Sequence, residues 1–315
     1  MAYADIVFKN MCRDIIDNGT DTTGELVRPH WEDGTPAYTV KRFGVVSRYD
    51  LRKEFPIMTL RRTALKSATD ELLWIWQKKS NNIEDLKSHV WDEWADERGS
   101  IGKAYGYQIG NAYVHHTVHS ESELPPVKEY PSSSHREVYD AKGDAIYTNV
   151  WLDQIDSVIW DLKHNPYSRR IMTNIYNFED LHEMHLYPCA YSMTFNCTKD
   201  PEGSGKLVLN AILNQRSQDV LAANNWNVVQ YSVLVHMIAR ECDMIPGELV
   251  HVIADCHIYD RHIPMVEELI SREPFPAPKF ILNPEKKHFY DFTPDDVILE
   301  NYQYGEQIRN IPIAV

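Results

Sequence analysis

The stretch LYPCAYSMTFN (186–196) sets Cys189 behind a proline, at the mouth of a run that alternates like a β-strand. Most intracellular cysteines are small apolar fillers, so a thiol needs company before it carries chemistry. Three other stretches supply it. NQRSQD (214–219) ends a second strand with Arg216, Ser217 and Asp219. Arginine binds a phosphate through paired hydrogen bonds, and a serine hydroxyl adds another. YSRR (167–170) is a further basic pair, and DCHIY (255–259) sets Asp255, His257 and Tyr259 on one strand face, since strand side chains repeat with period two. The same period argues against zinc on Cys256, His257 and His262, because Cys256 and His257 point to opposite faces. His115, His116 and His119 are candidate metal ligands, but no carboxylate or cysteine completes the set.

The rest of the chain must hold these groups. With 315 residues, 43% apolar and 11% aromatic, it can bury a sizeable core. A net charge of −14 excludes a generic nucleic-acid or anionic-membrane surface, so an anionic ligand needs its own arginines. The five cysteines are scattered, odd in number and form no C-x-x-C pair, which fits a reducing, cytoplasmic setting. MAYADIVFKNMCRDIID is charged throughout and lacks the apolar stretch of a signal peptide. No apolar run has the length of a membrane span.

Helical spacing predicts helices over 3–17, 66–80 and 151–166. Residues 190–197 and 206–217 flank the turn TKDPEGSG and read as an antiparallel hairpin. NVVQYSVLVHMIAREC (227–242) is apolar nearly all round, the mark of a helix buried mid-molecule. ELVHVIADCHIY (248–259) alternates again. Residues 111–148 are polar, rich in Ser, His and Pro, and aperiodic, and read as a surface insertion. Mixed helices and strands without regular alternation predict a single α+β domain over 1–315.

LYPCAYSMTFN, NQRSQDV…NNWNVVQYSVLVHMIA, ADCHIYDRHI, VWDEWADERGSIGKAYGYQ and NPYSRRI together resemble the thymidylate synthase family and occur along the chain in that family's order. The likeness runs from FPIMTLRRTALKSATDELLW to the terminal IPIAV, with 111–148 outside it. The length and WEDGTPAYTV (31–40) are most similar to the variant found in some bacilli. The resemblance implies a large mixed or antiparallel sheet, helices on one face, a central buried helix, and a homodimer joined sheet to sheet. It implies reductive methylation of dUMP to dTMP, with 5,10-methylenetetrahydrofolate giving carbon and hydride and no metal required.

It also implies roles. Cys189 would be the nucleophile, made more acidic by Arg216. Arg28, Gln215, Arg216, Ser217, Gln218 and Asp219 would surround the nucleotide, with Arg169 and Arg170 contributed to the other subunit's site. Asn227 would read uracil, His257 and Tyr259 the deoxyribose hydroxyl. Glu71 would organise proton transfer, and Tyr105 would serve proton removal at C5. Asp219 would face the pterin, and Trp91, Leu186, Ala223, Trp226 and Ala314 would contact the folate. Departures from the family pattern are Ala223-Asn224-Asn225-Trp226 in place of its Gly-x-Pro-Phe, and alanine at 64, 190 and 254. The rival readings are a dUMP hydroxymethylase, which adds water to the same intermediate, and a non-catalytic nucleotide- or RNA-binding relative. A cytidylate hydroxymethylase fits Asn227 poorly, and a cysteine hydrolase lacks a local histidine partner.

Overall fold

The structure, a computed structural model, describes residues 1–314. In chain order its elements are α1 (Tyr3–Asn18), β1 (Thr20–Asp21), β2 (Thr39–Asp50), α2 (Leu65–Trp76), α3 (Gly106–Asn111), β3 (Tyr113–Val118), β4 (Ser134–Tyr139), β5 (Ala145–Asp153), α4 (Gln154–His164), β6 (Met172–Asn174), β7 (Ala190–Lys199), β8 (Leu207–Asp219), α5 (Val220–Ala223), α6 (Trp226–Glu241), β9 (Ile245–Tyr259), α7 (Ile263–Ser271), β10 (Lys279–Leu282) and β11 (Val297–Glu300). Helix α1 buries Ala4, Phe8, Met11, Cys12 and Ile15 along one stripe, the i, i+4, i+7 spacing of a core-facing helix. It stops at Gly19, whose N–H bonds Ile15 O at 2.9 Å. A Cβ there would lie 2.3 Å from that same oxygen, so glycine is required by close approach.

The main sheet has six strands in the order β1-β2-β9-β8-β7-β6. Every neighbouring pair is antiparallel except β8 and β9, which run parallel. A parallel neighbour needs a long crossover, and α6 supplies it between the two strands. Val228, Val229, Val233, Leu234, Val235, Met237, Ile238 and Ala239 of α6 are all fully buried, which explains the helix's lack of a polar face. It shares one core with α2, α4, β7 and β8. A second core joins α1, α7 and the end of β9, where Cys256 packs its sulfur 3.6 Å from that of Met11. Cys256 is thereby turned away from His257, as the strand period requires. The expected mixed α+β architecture is the one observed.

Three expectations need correcting. Residues 111–148 are no irregular insertion: with 145–153 they build an antiparallel sheet in the order β3-β5-β4. Its polarity misled because β3 and β4 are solvated along most of their length; only Val118, Tyr130, Val150 and Leu152 reach the core. The sheet is pinned by Ser132, whose N–H and hydroxyl both donate to Asp156 Oδ2 at 2.9 and 2.6 Å. For the same reason 151–153 are strand and not helix. Helix α4 starts after Asp153, whose carboxylate caps it by accepting from Asp156 N at 3.0 Å. Helix α2 also ends earlier than the expected residue 80. Lys79 takes a positive φ of 55° and its ammonium pairs with Asp153, turning the chain out of the helix.

Candidate active site

Cys189 lies half-buried immediately before β7. Its backbone N–H donates to the Tyr105 hydroxyl at 3.3 Å, and its carbonyl accepts from Arg216 N at 2.7 Å. The Arg216 guanidinium comes within 3.8 Å of the sulfur through Nη2 and also meets the Tyr187 and Pro188 carbonyls at 3.4 Å each. Burial pushes the Cys189 thiol up from its ordinary range, and Arg216 pulls against it without reversing the sign. Arg216 thus acts in the expected direction, lowering the thiol's pKa, while desolvation of the buried thiolate is the larger effect and leaves the net shift upward. Alkylation of Cys189 by iodoacetamide should accordingly rise about tenfold per pH unit from 7 to 9 without levelling off, since only thiolate reacts. Peptide mass mapping against pH checks this, and a plateau below pH 8 contradicts it.

Tyr105 has φ 46° and ψ −104°, a backbone state that costs on the order of 1–3 kcal/mol and recurs at functional sites. Its ring meets Trp91 edge-on at 4.7 Å. Trp91 Nε1 donates to Glu71 Oε1 at 2.9 Å, and Trp226 Nε1 donates to Glu71 Oε2 at 2.6 Å. Burial raises the Glu71 pKa, and the bonds from Trp226, Trp91 and Gln230 oppose the rise. A buried carboxyl whose pKa is raised is a better proton donor and acceptor than a solvated one. Leu186 is half-buried against the same core as Trp91, Tyr105 and Trp226.

Asn227, one residue after Trp226, accepts at Oδ1 from Gln215 Nε2 at 3.2 Å and donates from Nδ2 to Gln230 Oε1 at 3.3 Å. Gln230 was not anticipated from sequence. Its signal was a polar residue in an apolar helix, three positions after Asn227 and so on the same face. Gln218 is buried and bonds inward to Gln215 and to Asn224, so it backs the site and does not face it. Ser217 is half-buried, and its carbonyl accepts from Gln215 Nε2 at 3.1 Å.

Asp219 caps α5 by accepting from Leu221 N and Ala222 N at 3.0 and 3.2 Å, with Ala223 half-buried at the far end of that turn. Its Oδ1 is 3.4 Å from His262 Nδ1, and His262 Nε2 donates to Pro312 O at 2.8 Å. Burial pushes the His262 pKa down, but Asp219 carries it above the ordinary value. The carboxylate expected at the pterin is thus tied to the C-terminal segment, where Ala314 is half-buried. Val315, the last residue of the expected closing tail, lies outside the described residues.

His257 Nδ1 donates to Asp255 Oδ1 at 2.8 Å, and its ring meets Tyr259 edge-on at 5.0 Å. Burial raises the Tyr259 pKa to about 12, with Asp219 and Cys189 adding to the rise and Arg28 opposing it. These four residues therefore share one electrostatic neighbourhood. Arg169 and Arg170 do not join it: they are exposed on the loop after α4 and make no ion pair among the described residues.

The departures around 224–225 have a structural account. Asn225 adopts a positive φ of 65°, which Asn tolerates better than most residues. Its Oδ1 accepts from Met58 N at 2.7 Å and Thr63 Oγ1 at 2.9 Å, and its Nδ2 donates to Pro56 O at 2.9 Å. Asn225→Ala should cost about 2–4 kcal/mol, from buried groups left unpaired and backbone strain. Asn225→Gly should recover only the backbone share, about 1 kcal/mol. Urea unfolding of both variants checks this, and equal losses would contradict it.

Among the described residues no three His, Cys, Asp or Glu side chains converge as a metal site. His115 Nε2 is 2.6 Å from Asn149 Oδ1, and His116 Nε2 is 2.9 Å from Ser157 Oγ. No described helix is long and apolar enough to cross a membrane.

Comparison with known proteins extends these observations. The family model described as thymidylate synthase matches residues 6–315, running through the β3–β5 sheet. Thymidylate synthase 1 of Bacillus subtilis (strain 168) is 38% identical over 312 residues, 98% of each chain. The thymidylate synthase of Bacillus phage phi3T is 37% identical over the same length and the same shares. The solved structure of thermostable thymidylate synthase A from Bacillus subtilis superposes with a TM-score of 0.79 at 37% identity, covering 99% of both chains. The fold and the matched family are those of a methyltransferase. More narrowly, the chain belongs to the thymidylate synthase family, and its reaction is the methylation of dUMP to dTMP.

Proposed function

We propose that Cys189 performs this methylation by covalent catalysis, and that the residues gathered around it divide the remaining work. Carbon 5 of uracil is a weak nucleophile. Addition of the Cys189 sulfur to C6 moves the ring electrons onto O4, and the resulting enolate makes C5 reactive. C5 then bonds to the one-carbon unit as a carbon–nitrogen bond of the folate opens, a base removes the C5 proton, and tetrahydrofolate leaves to give an exocyclic methylene. Hydride addition to that methylene makes the methyl group and expels the Cys189 thiolate from C6. The co-substrate 5,10-methylenetetrahydrofolate, used throughout the family, supplies both carbon and hydride and ends as dihydrofolate. The observation that carries this reading is Cys189 itself, with its sulfur 3.8 Å from Arg216 and its N–H on the Tyr105 hydroxyl.

Arg216, Ser217 and Arg28 fit the nucleotide phosphate, and His257 with Tyr259 fits the sugar hydroxyl. Asn227 offers a lone pair and an N–H to the uracil edge. The indoles of Trp91 and Trp226, both bonded to Glu71, supply apolar surface near Leu186 of the kind a planar pterin would pack on. Glu71 and the Tyr105 hydroxyl are placed to move protons at the ring. The closing segment with Ala314 keeps water from the methylene, which is where a hydroxymethylase would diverge.

A homodimer completes the site. The main sheet exposes Phe43, Val46, Met172 and Ile212, and the turn after β6 exposes Phe178, uncovered apolar side chains of the kind that mark an interface. A cavity of about 310 Å³ lined by Asn174, Tyr176, Phe178, Tyr191, Ala254 and Arg216 opens beside it. Arg169 and Arg170 from a second copy would bring this cavity further positive charge. Five free cysteines suit a cytoplasmic enzyme, and the −14 charge gives no support for RNA binding.

The decisive assay incubates the protein with dUMP and 5,10-methylenetetrahydrofolate, follows dihydrofolate by absorbance and identifies the nucleotide by mass. A gain of one methyl group is expected. A hydroxymethyl mass without dihydrofolate would replace this reading by the hydroxymethylase.

A further inference from the structure

His251 of β9 is fully buried, yet it belongs to no step described above. Its Nε2 lies 2.7 Å from Gln215 Oε1, while Nδ1 has no hydrogen-bond partner among the described residues. Burial pushes its pKa down to about 3, so the ring is neutral and carries a single N–H.

That hydrogen begins a chain with one polarity. Gln215 Nε2 donates to the Ser217 carbonyl at 3.1 Å and to Asn227 Oδ1 at 3.2 Å. Asn227 Nδ2 donates to Gln230 Oε1 at 3.3 Å, and Gln230 Nε2 donates to the Ala68 carbonyl at 3.2 Å. A backbone carbonyl can only accept. The Ser217 and Ala68 carbonyls therefore fix which end of each glutamine amide is nitrogen. Gln215 then presents its oxygen to His251, and only an Nε2–H tautomer can meet it.

We infer that His251 is a positioning residue for pyrimidine choice: its Nε2–H holds Gln215, and through it the Asn227 amide, in the orientation that reads uracil and rejects cytosine. The chemistry follows from the two bases. Uracil offers N3–H and accepts at O4, so it needs the Asn227 oxygen at N3 and the nitrogen at O4. Cytosine accepts at N3 and donates from its exocyclic amine, which a reversed amide would satisfy. With the Nε2–H removed, Gln215 Oε1 loses the shorter of its two buried donors and keeps only Gln218 Nε2 at 3.5 Å, so rotation of the two amides is opposed more weakly at that end. The inference rests on Asn227 being the base reader.

The test compares kcat/KM for dUMP and dCMP in the full-length wild type, His251→Gln and His251→Leu, with 5,10-methylenetetrahydrofolate and tritium release from C5 as the readout. A glutamine amide nitrogen can replace the Nε2 donor; leucine cannot. The dUMP-to-dCMP ratio is expected to fall at least about tenfold in His251→Leu and to stay within about threefold of wild type in His251→Gln. A packing role alone would lower thermal stability in His251→Leu and leave the ratio unchanged, which would overturn the inference. Should His251→Leu fail to fold, nitrogen-15 NMR of the wild-type imidazole decides: Nε2 protonated with Nδ1 bare is expected, and an Nδ1–H tautomer or an imidazolium at pH 7 would overturn it. A wild type that turns over neither nucleotide would instead defeat the proposed reaction, and the tautomer measurement would still judge His251.

Discussion

Cys189→Ser is expected to lose turnover by roughly 10⁴-fold or more, because a serine hydroxyl at neutral pH is a far poorer nucleophile toward C6 than a thiolate. Binding of dUMP should survive, since Arg216, Ser217 and Arg28 are untouched. The two effects separate when kcat is measured beside a direct binding titration. With 5-fluoro-dUMP and the folate, the wild type should form a covalent complex, because fluorine cannot leave C5 as a proton does and the C6–sulfur bond is trapped. Mass mapping should find the label on Cys189. Cys12 and Cys256 are buried, Cys256 with its pKa raised by burial to about 12, and neither competes for such a label. A label on Cys242 or Cys256, or turnover in Cys189→Ser within tenfold of wild type, would remove Cys189 from the mechanism.

The second large effect concerns the exposed arginines. Arg170→Ala should abolish most activity although Arg170 touches nothing in its own subunit's site. Mixing inactive Arg170→Ala with inactive Cys189→Ser chains should then restore about a quarter of wild-type activity after co-refolding at equal amounts, because half the dimers are mixed and each holds one intact site. Sedimentation should give a dimer. No recovery, or a native monomer, would sink the shared site.

The parts of the molecule that were legible in the sequence are those in which one side of an element meets one environment. Helix α6 advertised its burial through eleven apolar or small side chains, and the β7–β8 hairpin through its alternation and the glycines of its turn. Cys189, Arg216 and Asp219 could be singled out because polar side chains at strand ends have few structural uses. Pairing direction was not legible: alternation in β9 is the same whether its neighbour runs parallel or antiparallel, so the β8–β9 pair was hidden. The β3–β5 sheet was hidden by solvation of both β3 and β4. The sign of the Cys189 shift could not be read either, since it depends on how completely folding strips water from the sulfur. Glu71 was found through its resemblance to a known site, but its two tryptophan donors, 20 and 155 residues away, are joined to it only by the fold.

The pairing of β2 with β9 has a consequence for how the protein is made. Strand β2 ends at Asp50 and its long partner is complete only at Tyr259. On the other side it meets only the two-residue β1. At synthesis rates of roughly 5–20 residues per second, the twelve-residue β2 waits on the order of 10–40 s with one edge bare. Unpaired edges of that length recruit other chains. His257 and Tyr259 arrive with the same late strand, so a ribosome stalled just before it carries the thiol and its arginine but neither of the residues proposed to hold the sugar. Release of such a fragment should yield aggregate and not a weakened enzyme, which makes the last third of the message the vulnerable stretch of this protein's biogenesis.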